Sequence, residues 1–413
     1  MPAQPRVAVV GGSLAGLRAA EQLRAHGHSG SITVFSAEPH LPYNRPPLSK
    51  EALGGQVSAE PQDLAARLAF RRRASVADVE FRLGARVATA DLARRELTLD
   101  TGEVVTYDGL VAATGLRPRR LSVPGPEHGR HVLRTVEDCA GVRAALRPRS
   151  RVVVVGGGFI GCEVAGTLRT LGHDVTVVEP AGAPMQRVLG ADLSNSVQRH
   201  HAGHGIGFVI GTGVSAFTGA GAVAGVQLGT GETLDAELVV EAVGSACNVE
   251  WLAGQGLDLG DGVLTDNHLA VVGADDVVAV GDLARFPNPL FDGVARRVEH
   301  WSIPTDTAKR AAATLCRRFS GEPDDATPFA PIPAFWSDQL DLRLQSYGSP
   351  ALADEIRVEE GDLGDLTGGV LVTYHRGGNH VGTVAVNLSP ARHRVLREAF
   401  TLSLVSSEPS TQR

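Results

Sequence analysis

The sequence predicts an α/β protein with two Rossmann-like units and a small α+β domain at its C-terminus. The paired units are indicated by a β-branched run, a glycine-rich turn and a helical apolar pattern, which occur in this order at residues 6–25 and again at 151–170. A second short apolar strand follows each of them, at 32–35 and at 174–179. Beyond about residue 320, alternating segments such as GGVLVTYH and HVGTVAVNL predict antiparallel strands.

The repeat extends beyond the glycine-rich turns. Short alternating segments that predict hairpins follow each unit, and each hairpin region ends in an apolar strand closed by glycine, at 113–115 (ATG) and at 242–244 (AVG). The segment DVVAVGDLARF, at 276–286, predicts a buried parallel strand that runs into a turn. The last residues, SSEPSTQR at 406–413, predict a disordered tail.

Composition excludes several classes of function for this chain of 413 residues. The formal net charge of −7 argues against a nucleic-acid-binding protein, because affinity for nucleic acid depends on neutralising phosphates. No stretch reaches the roughly 18 apolar residues that cross a bilayer, and the N-terminus lacks a secretory pattern. We therefore expect a cytoplasmic protein that binds neither nucleic acid nor membranes.

The two glycine-rich turns predict two nucleotide sites, because glycine lets the backbone approach a pyrophosphate at a helix N-terminus. The first turn consists of Gly11, Gly12, Ser13, Leu14, Ala15 and Gly16, with serine in place of the middle glycine. The second consists of Gly156, Gly157, Gly158, Phe159, Ile160 and Gly161, and it satisfies the GxGxxG pattern in full.

An acidic residue after the second strand of such a unit binds the ribose hydroxyls and repels a 2′-phosphate. Glu179 holds this place in the second unit, which favours NADH over NADPH, with Arg187 as the one candidate for compensating a phosphate charge. In the first unit Ser36 holds the equivalent place, and the nearest acid is Glu38.

Seven segments in collinear order resemble the FAD-dependent, NAD(P)H-linked ferredoxin reductases of bacterial oxygenases and cytochromes P450, the type that includes putidaredoxin reductase, biphenyl dioxygenase reductase and apoptosis-inducing factor. The segments are LPYNRPPLSK (41–50), ATGLRPR (113–119), HVLRTVED (131–138), VVGGGFIGCE (154–163), VVAVGDLA (277–284), RVEHW (297–301) and FWSDQ (335–339). The resemblance implies a glutathione-reductase-like fold. It also implies an FAD-binding domain formed by residues 1–110 and 236–319, an NAD-binding domain at 111–235 and a C-terminal reductase domain at 320–413.

The resemblance also implies roles for individual residues. Lys50, paired with Glu163, would be the catalytic pair beside the flavin, where a fixed cation eases reduction. The implied FAD contacts are Gly11, Gly12, Ser13, Leu14, Ala15, Gly16, Ala37, Glu38, Arg45, Lys50, Val87, Thr114, Gly115, Arg134, Gly281, Asp282, Glu299, His300, Trp301 and Trp336. The implied NAD contacts are Gly156, Gly158, Phe159, Ile160, Gly161, Glu179, Arg187 and Gly244.

These features favour an enzyme that passes electrons from NADH through FAD to a small iron–sulfur ferredoxin, which in turn supplies a cytochrome P450 or a Rieske oxygenase. No cysteine occurs at 41–50, where related disulfide reductases carry their redox pair, so electrons are expected to leave the flavin directly. Two alternatives stay open: an NADH oxidase or peroxidase, and a flavoprotein of the apoptosis-inducing factor type whose reduction switches a protein interaction.

Three further features have simpler interpretations. Cys139, Cys162, Cys247 and Cys316 are widely spaced and predict free buried thiols. His200 and His204 stand four apart on a predicted helix, but no carboxylate or third ligand is evident near them, so we expect a solvated face and no metal site. Glu241, inside an apolar strand, either faces the nucleotide cleft or pairs with a cation.

Overall fold

The computed structural model describes residues 4–55 and 58–406, and it divides into two compact units. Unit 1 consists of Met1–Asn44, Ala65–Arg117 and Ala246–Pro333. Unit 2 consists of Arg45–Leu64, Pro118–Ser245 and Ala334–Arg413. The finer division into FAD, NAD and C-terminal domains, with boundaries after residues 110, 235 and 319, stays a prediction.

The helices and strands of the described chain alternate in the order that the sequence predicts for paired nucleotide units. The strands are β1 (Val7–Val10), β2 (Ile32–Phe35), β3 (Glu80–Arg82), β4 (Val87–Asp91), β5 (Glu96–Leu99), β6 (Val104–Thr106), β7 (Gly109–Ala112), β8 (Leu116–Pro118), β9 (Arg130–His131), β10 (Arg151–Val155), β11 (Asp174–Glu179), β12 (Gly207–Ile210), β13 (Val214–Thr218), β14 (Gly225–Leu228), β15 (Thr233–Asp235), β16 (Leu238–Glu241), β17 (Ser245–Cys247), β18 (Val263–Leu264), β19 (Val277–Ala279), β20 (Ala284–Pro287), β21 (Ala295–Arg297), β22 (Ala334–Gln339), β23 (Leu342–Gly348), β24 (Glu355–Glu360), β25 (Val370–Arg376) and β26 (Asn379–Val386). The α-helices are α1 (Leu14–Ala25), α2 (Glu51–Gly54), α3 (Pro61–Leu68), α4 (Val136–Ala145), α5 (Phe159–Thr170), α6 (Gln186–Leu189), α7 (Ala191–Gly203), α8 (Ile303–Ser320) and α9 (Pro390–Ser406).

Unit 1 contains a parallel sheet in the order β19-β7-β1-β2-β3. In this register Val10 lies between Phe35 and Ala112, and Ala112 in turn lies beside Ala279. Strands β1, β2, β7 and β19 are largely apolar and buried, and they share one core with helices α1 and α8, which pack against each other. Strand β3, at the edge of the sheet, is more exposed. The carboxyl ends of β1, β7 and β19 therefore share one edge of the sheet, where the turns that follow them meet.

Unit 2 repeats this design with a parallel sheet in the order β12-β11-β10-β16-β9. Val155 lies between Val178 and Glu241, as Val10 lies between Phe35 and Ala112 in unit 1. Each unit also carries a three-stranded antiparallel sheet at the predicted hairpins, β4-β5-β6 in unit 1 and β13-β14-β15 in unit 2. The predicted duplication of the whole module is confirmed.

The C-terminal segment of unit 2 forms an antiparallel sheet in the order β22-β23-β26-β25-β24, against which helix α9 packs. The predicted α+β character of this segment is confirmed. Of the predicted tail, Ser406 ends helix α9, and 407–413 lie outside the described residues.

The proline-rich segment 41–50 forms a short 3-10 turn at Pro46–Ser49, followed by helix α2. Pro46 and Pro47 fit the start of the turn, because N–H groups at the first positions of a helix have no partner within it. The hydroxyl of Thr167 on α5 donates to the carbonyl of Ser49 at 2.8 Å. This contact fixes the turn to the helix that starts at the second glycine-rich turn.

Candidate nucleotide and redox site

The first glycine-rich turn is packed so tightly that two of its glycines have no room for a side chain. A Cβ on Gly11, whose φ is +124°, would lie 2.1 Å from the carbonyl oxygen of Ala113, and a Cβ on Gly16 would lie 1.9 Å from that of Gly11. Helix α1 begins at Leu14, so the turn presents backbone N–H groups at the positive end of a helix. This arrangement is able to receive a pyrophosphate.

The second turn has the same close packing and one open position. A Cβ on Gly156 would lie 2.4 Å from the carbonyl oxygen of Ala242, and one on Gly161 would lie 2.0 Å from that of Gly156. A Cβ on Gly158 would meet no atom within 4 Å of it. The middle glycine thus leaves its backbone exposed at the place where a bound pyrophosphate approaches.

The residue after the second strand of each unit lies beneath the glycine-rich turn. Glu179 accepts a hydrogen bond from the N–H of Gly157 at 2.8 Å and one from the N–H of Ala181 at 2.8 Å. These two hydrogen bonds hold its carboxylate beside the turn, with lone pairs left for ribose hydroxyls. In unit 1 a Cβ on Gly12 would lie 2.4 Å from the Cβ of Ser36, so the two positions are equivalent in space.

Lys50 and Glu163, 113 positions apart, form an ion pair within unit 2. The Nζ of Lys50 lies 2.7 Å from the Oε2 of Glu163, and their side chains are only 16% and 8% exposed. Lys50 also donates to the carbonyl of Pro46 at 3.3 Å. These two contacts hold the positive charge of Lys50 in a fixed position. The ammonium group has three N–H donors, so one is left for a further hydrogen bond.

Two serines hold the Glu163 carboxylate in place, and sequence reasoning assigned no role to either. Ser49 donates to the Oε2 of Glu163 at 2.5 Å, and Ser337 donates to its Oε1 at 2.6 Å. Gln339 in turn donates to the hydroxyl of Ser337 at 2.9 Å. Both serines belong to segments that carry the family resemblance, but nothing in their spacing indicates a shared partner.

Near the first turn, several of the other candidate residues are held by specific contacts within unit 1. A Cβ on Gly281, whose φ is +70°, would lie 2.8 Å from the Cβ of Ala15, which places Asp282 next to this turn. Thr114 donates to the carbonyl of Asn248 at 2.6 Å, and the side-chain amide of Asn248 donates to the carbonyl of Thr114 at 3.0 Å. The ATG segment and the strand-end turn at 281 are thereby brought to the edge where the first glycine-rich turn lies.

The remaining candidate residues are distributed over both units. Arg45 in unit 2 donates to the carbonyl of Arg134 at 2.7 Å, so these two candidates are neighbours. In unit 1 the ring of Trp301 lies 6.1 Å from that of Phe70, and burial lowers the pKa of His300 to about 4. The other positions are Ala37, exposed after β2; Glu38, which accepts from Tyr43; Val87, buried on β4; Gly115, with φ +62°; Glu299, paired with Arg297; Trp336, on β22; Arg187, exposed on α6; and Gly244, with φ +91°.

Glu241 pairs with a cation, which settles the alternative that the sequence left open. Its carboxylate forms a bidentate pair with Arg130, at 3.0 and 3.1 Å, and accepts from the N–H of Leu121 at 2.7 Å. The side chains of Arg130 and Glu241 are 1% and 0% exposed. Arg130 also lies over the ring of Phe217, 4.2 Å from its centroid. This pair is a structural element of unit 2.

The expectation that His200 and His204 lack a third neighbouring ligand is wrong. Asp341 lies 2.6 Å from the Nε2 of His200 and 3.7 Å from the Nε2 of His204. The expected solvated face is also wrong for His200, whose side chain is only 13% exposed. Sequence reasoning missed the aspartate because it lies on a hairpin far along the chain.

The four cysteines are free, as predicted, but only Cys139 and Cys162 are buried, whereas Cys247 and Cys316 are half-buried. Burial raises the pKa of the Cys139 thiol to about 11 and that of Cys162 to about 12, and it also raises the pKa values of Cys247 and Cys316. The thiolate is the reactive form, so all four thiols are chemically quiet near neutral pH.

Comparisons with known proteins agree with this architecture. The pyridine nucleotide-disulphide oxidoreductase family model matches residues 5–308, and the reductase C-terminal model matches 334–407. Rhodocoxin reductase of Rhodococcus erythropolis is 34% identical over 403 residues, covering 96% of this chain and 90% of its own. The anthranilate 1,2-dioxygenase system ferredoxin–NAD(+) reductase component of Burkholderia cepacia is 36% identical over 399 residues, covering 94% and 92%.

A solved structure is similar over the same extent. The crystal structure of the covalent putidaredoxin reductase–putidaredoxin complex matches with a TM-score of 0.87 at 30% identity, over 97% of this chain and 94% of the other. Within the described residues, none of the helices is both long and apolar enough for a membrane span. The chain belongs to the pyridine nucleotide-disulphide oxidoreductase family, and within it to the ferredoxin reductases.

Proposed function

We propose that this protein is a ferredoxin–NAD(+) reductase, which passes electrons from NADH through FAD to a small iron–sulfur ferredoxin that supplies a cytochrome P450 or a Rieske oxygenase. The observation that carries the proposal is the presence of two equivalent nucleotide turns in a chain whose segment 41–50 has no cysteine. Such a chain can bind a dinucleotide in each unit but has no dithiol to receive electrons at that segment. A cytoplasmic location, where NADH is available, is part of the proposal.

The residues of unit 1 fit FAD. Gly11 packs against the ATG segment and Gly16 against Gly11, so closely that an added Cβ on either would overlap a carbonyl oxygen. Because both are glycines, the turn stays tight and its backbone is free to approach a pyrophosphate. Asp282, beside the same turn, would accept hydrogen bonds from the ribityl hydroxyls, as the resemblance implies. When bound, FAD accepts hydride from NADH and releases the two electrons one at a time.

The residues of unit 2 fit NADH. Gly156 and Gly161 close the turn, and Gly158 leaves the backbone open. Glu179, bonded to the N–H of Gly157, would accept hydrogen bonds from the adenosine ribose hydroxyls. Lys50, held by Glu163, is assigned to the flavin as the resemblance implies. Its role is to keep one positive charge in place, so that little reorganisation accompanies the arrival of negative charge.

The deciding experiment measures reduction of a panel of purified bacterial ferredoxins by the FAD-loaded protein with NADH, with oxygen alone as the acceptor in a parallel reaction. A reductase is expected to reduce at least one ferredoxin much faster than it consumes oxygen. Rapid oxygen consumption without ferredoxin reduction would instead support an NADH oxidase. Slow flavin reduction with a long-lived NAD complex would support a flavoprotein switch of the apoptosis-inducing factor type.

NADH should be preferred to NADPH, since a 2′-phosphate would lie close to the Glu179 carboxylate. Two like charges about 4 Å apart repel by about 1–4 kcal/mol between bulk water and a protein surface. Replacing Glu179 by alanine should therefore reduce the ratio of kcat/KM for NADH to kcat/KM for NADPH about tenfold or more, since about 1.4 kcal/mol corresponds to a factor of ten. Steady-state kinetics with NADH and with NADPH give the two kcat/KM values. Equal kcat/KM values in the unaltered protein would contradict the role assigned to Glu179.

Replacing all four cysteines by alanine should leave the rate of flavin reduction by NADH within about twofold, because raised pKa values keep the thiols protonated. Stability is expected to fall, since Cys139 and Cys162 are buried. Stopped-flow absorbance at matched FAD content gives the rate. A second variant, in which only Cys247 and Cys316 are replaced, keeps the two buried cysteines and so distinguishes an effect of packing from an effect of thiol chemistry. Loss of flavin reduction in both variants, with FAD retained, would support a disulfide mechanism.

A further inference from the structure

Two histidines and an aspartate meet in unit 2 at a place that the proposed reaction does not use. His200 and His204 stand four residues apart at the end of helix α7, a spacing that puts both on one helix face. Their ring centroids are 4.6 Å apart. The nearest ligand atoms of both rings and of Asp341 all lie within 4.8 Å of one another.

The hydrogen bonds around His204 fix which ring nitrogen faces the aspartate. The Nδ1 of His204 lies 2.9 Å from the carbonyl oxygen of His200, and a carbonyl can only accept, so Nδ1 carries the proton. In the neutral ring the Nε2 lone pair is then the one that faces Asp341. The carbonyl of His204 itself accepts from the Nε of Arg169 at 2.9 Å, which holds the helix end in place. Metal-bound histidines characteristically donate their second nitrogen in this way.

The aspartate is held from the opposite side by a tight turn. Leu340 and Asp341 connect strands β22 and β23, and Leu340 has a left-handed φ of +56°. An added Cβ on Gly166 of helix α5 would lie only 3.3 Å from Leu340, so the turn is seated closely on that helix.

We propose that His200, His204 and Asp341 form a binding site for a divalent metal ion, with Zn²⁺ as the preferred ion and water as its fourth ligand. Two imidazoles and one carboxylate suit zinc, whereas Mg²⁺ and Ca²⁺ prefer oxygen ligands alone. Side-chain exposure of 42% at His204 and 51% at Asp341 leaves access for the ion and for water.

The distances between these groups are compatible with zinc. Tetrahedral zinc with bonds of about 2.0–2.1 Å separates its ligand atoms by about 3.3 Å. The separations of 2.6 and 3.7 Å from Asp341 lie on either side of that value, and all three ligand atoms lie within 4.8 Å of one another, so side-chain rotations would bring them around one ion. A bound ion would join helix α7 to the β22–β23 hairpin.

The test uses tag-free, FAD-loaded protein titrated with Zn²⁺ by calorimetry and with Co²⁺ by absorption, because four-coordinate Co²⁺ absorbs to the red of flavin. We expect one ion per chain. Asp341→Asn and His204→Gln should each weaken binding at least about tenfold, since losing even an outer-shell partner costs about 10–100-fold. His128→Gln is the matched control, an exposed histidine of the same unit, and should bind as the unaltered protein does.

The four-cysteine alanine variant should also keep its affinity for Co²⁺, because the proposed ligands include no thiol. Absence of both a heat signal and a Co²⁺ spectrum from the unaltered protein would overturn the proposal. Unchanged affinity in both Asp341→Asn and His204→Gln would overturn it as well, since the ion would then be bound elsewhere. Neither result depends on whether ferredoxin is the electron acceptor.

Discussion

Replacing Lys50 with methionine is expected to slow reduction of FAD by NADH about 100–1,000-fold, the range found when one preorganised electrostatic group is removed from a reacting centre. The methionine side chain keeps much of the length of lysine but loses the charge. Because Lys50 is 16% exposed and fixed by Glu163, water replaces this charge poorly. Stopped-flow measurements should show a slower limiting rate with little change in the NADH concentration that gives half of it.

Glu163→Gln should slow the same step less than Lys50→Met does. Ser49 and Ser337 donate to different oxygens of Glu163, so the amide retains an acceptor for only one of them. Lys50 keeps its charge but loses its ionic partner. The double variant should cost less than the product of the two single effects, because the residues act as a pair. The matched control is Lys309→Met, which removes the exposed second lysine of the chain and should leave the rate unchanged. Unchanged rates in both variants of the pair would refute the assignment.

Replacing Glu241 with alanine should destabilise unit 2 by up to about 3–5 kcal/mol, the usual cost of removing one partner of a buried ion pair. Arg130 would remain 1% exposed and would keep only Glu127, 2.8 Å away and itself 75% exposed, as an ionic partner. The N–H of Leu121 would lose its acceptor. Urea unfolding followed by fluorescence and circular dichroism should show the lower midpoint. Flavin reduction below the transition should be retained, because the pair is structural.

Two comparisons make this result interpretable. Asp235→Asn breaks the pair with Arg151, which spans 2.8 Å with side chains 50% and 72% exposed, and should shift the midpoint little. The double replacement Arg130→Met with Glu241→Leu should restore much of the lost stability, because it removes both buried charges together. A midpoint for Glu241→Ala equal to that of Asp235→Asn would contradict the interpretation.

Much of the fold could be predicted from the sequence because its signals are local. Strand β2 at 32–35 and the start of helix α1 at Leu14 follow directly from apolar periodicity and from the glycines before them. The equivalence of the two units also follows, since each repeats strand, turn, helix and strand in one continuous stretch. Grouping Arg45–Leu64 with unit 2 could not be predicted, because only contacts such as that between Thr167 and Ser49 reveal it.

The parts of the candidate site in which side chains far apart in the chain contact one another were harder to predict from the sequence. The pairing of Lys50 with Glu163 came from a family resemblance, and a single sequence offers no other signal for groups 113 positions apart. The partners of Glu241 and His204 were missed for the same reason. Hydrogen bonding to a buried carboxylate is a property of three-dimensional neighbours, whereas spacing along a chain reports only on faces of one helix or strand.

Helix α5 makes three different contacts, and each of them restricts which residues the helix can carry. Gly161 packs against the backbone of the second glycine-rich turn, Glu163 forms the ion pair with Lys50, and Gly166 lies against the β22–β23 hairpin. Every residue from 161 to 166 is buried, and only Ile160 and Thr170 of the twelve are exposed. Substitutions in this helix are therefore expected mainly at its ends, and a graft of the second nucleotide unit into another protein would have to include the Pro46–Ser49 turn and the β22–β23 hairpin.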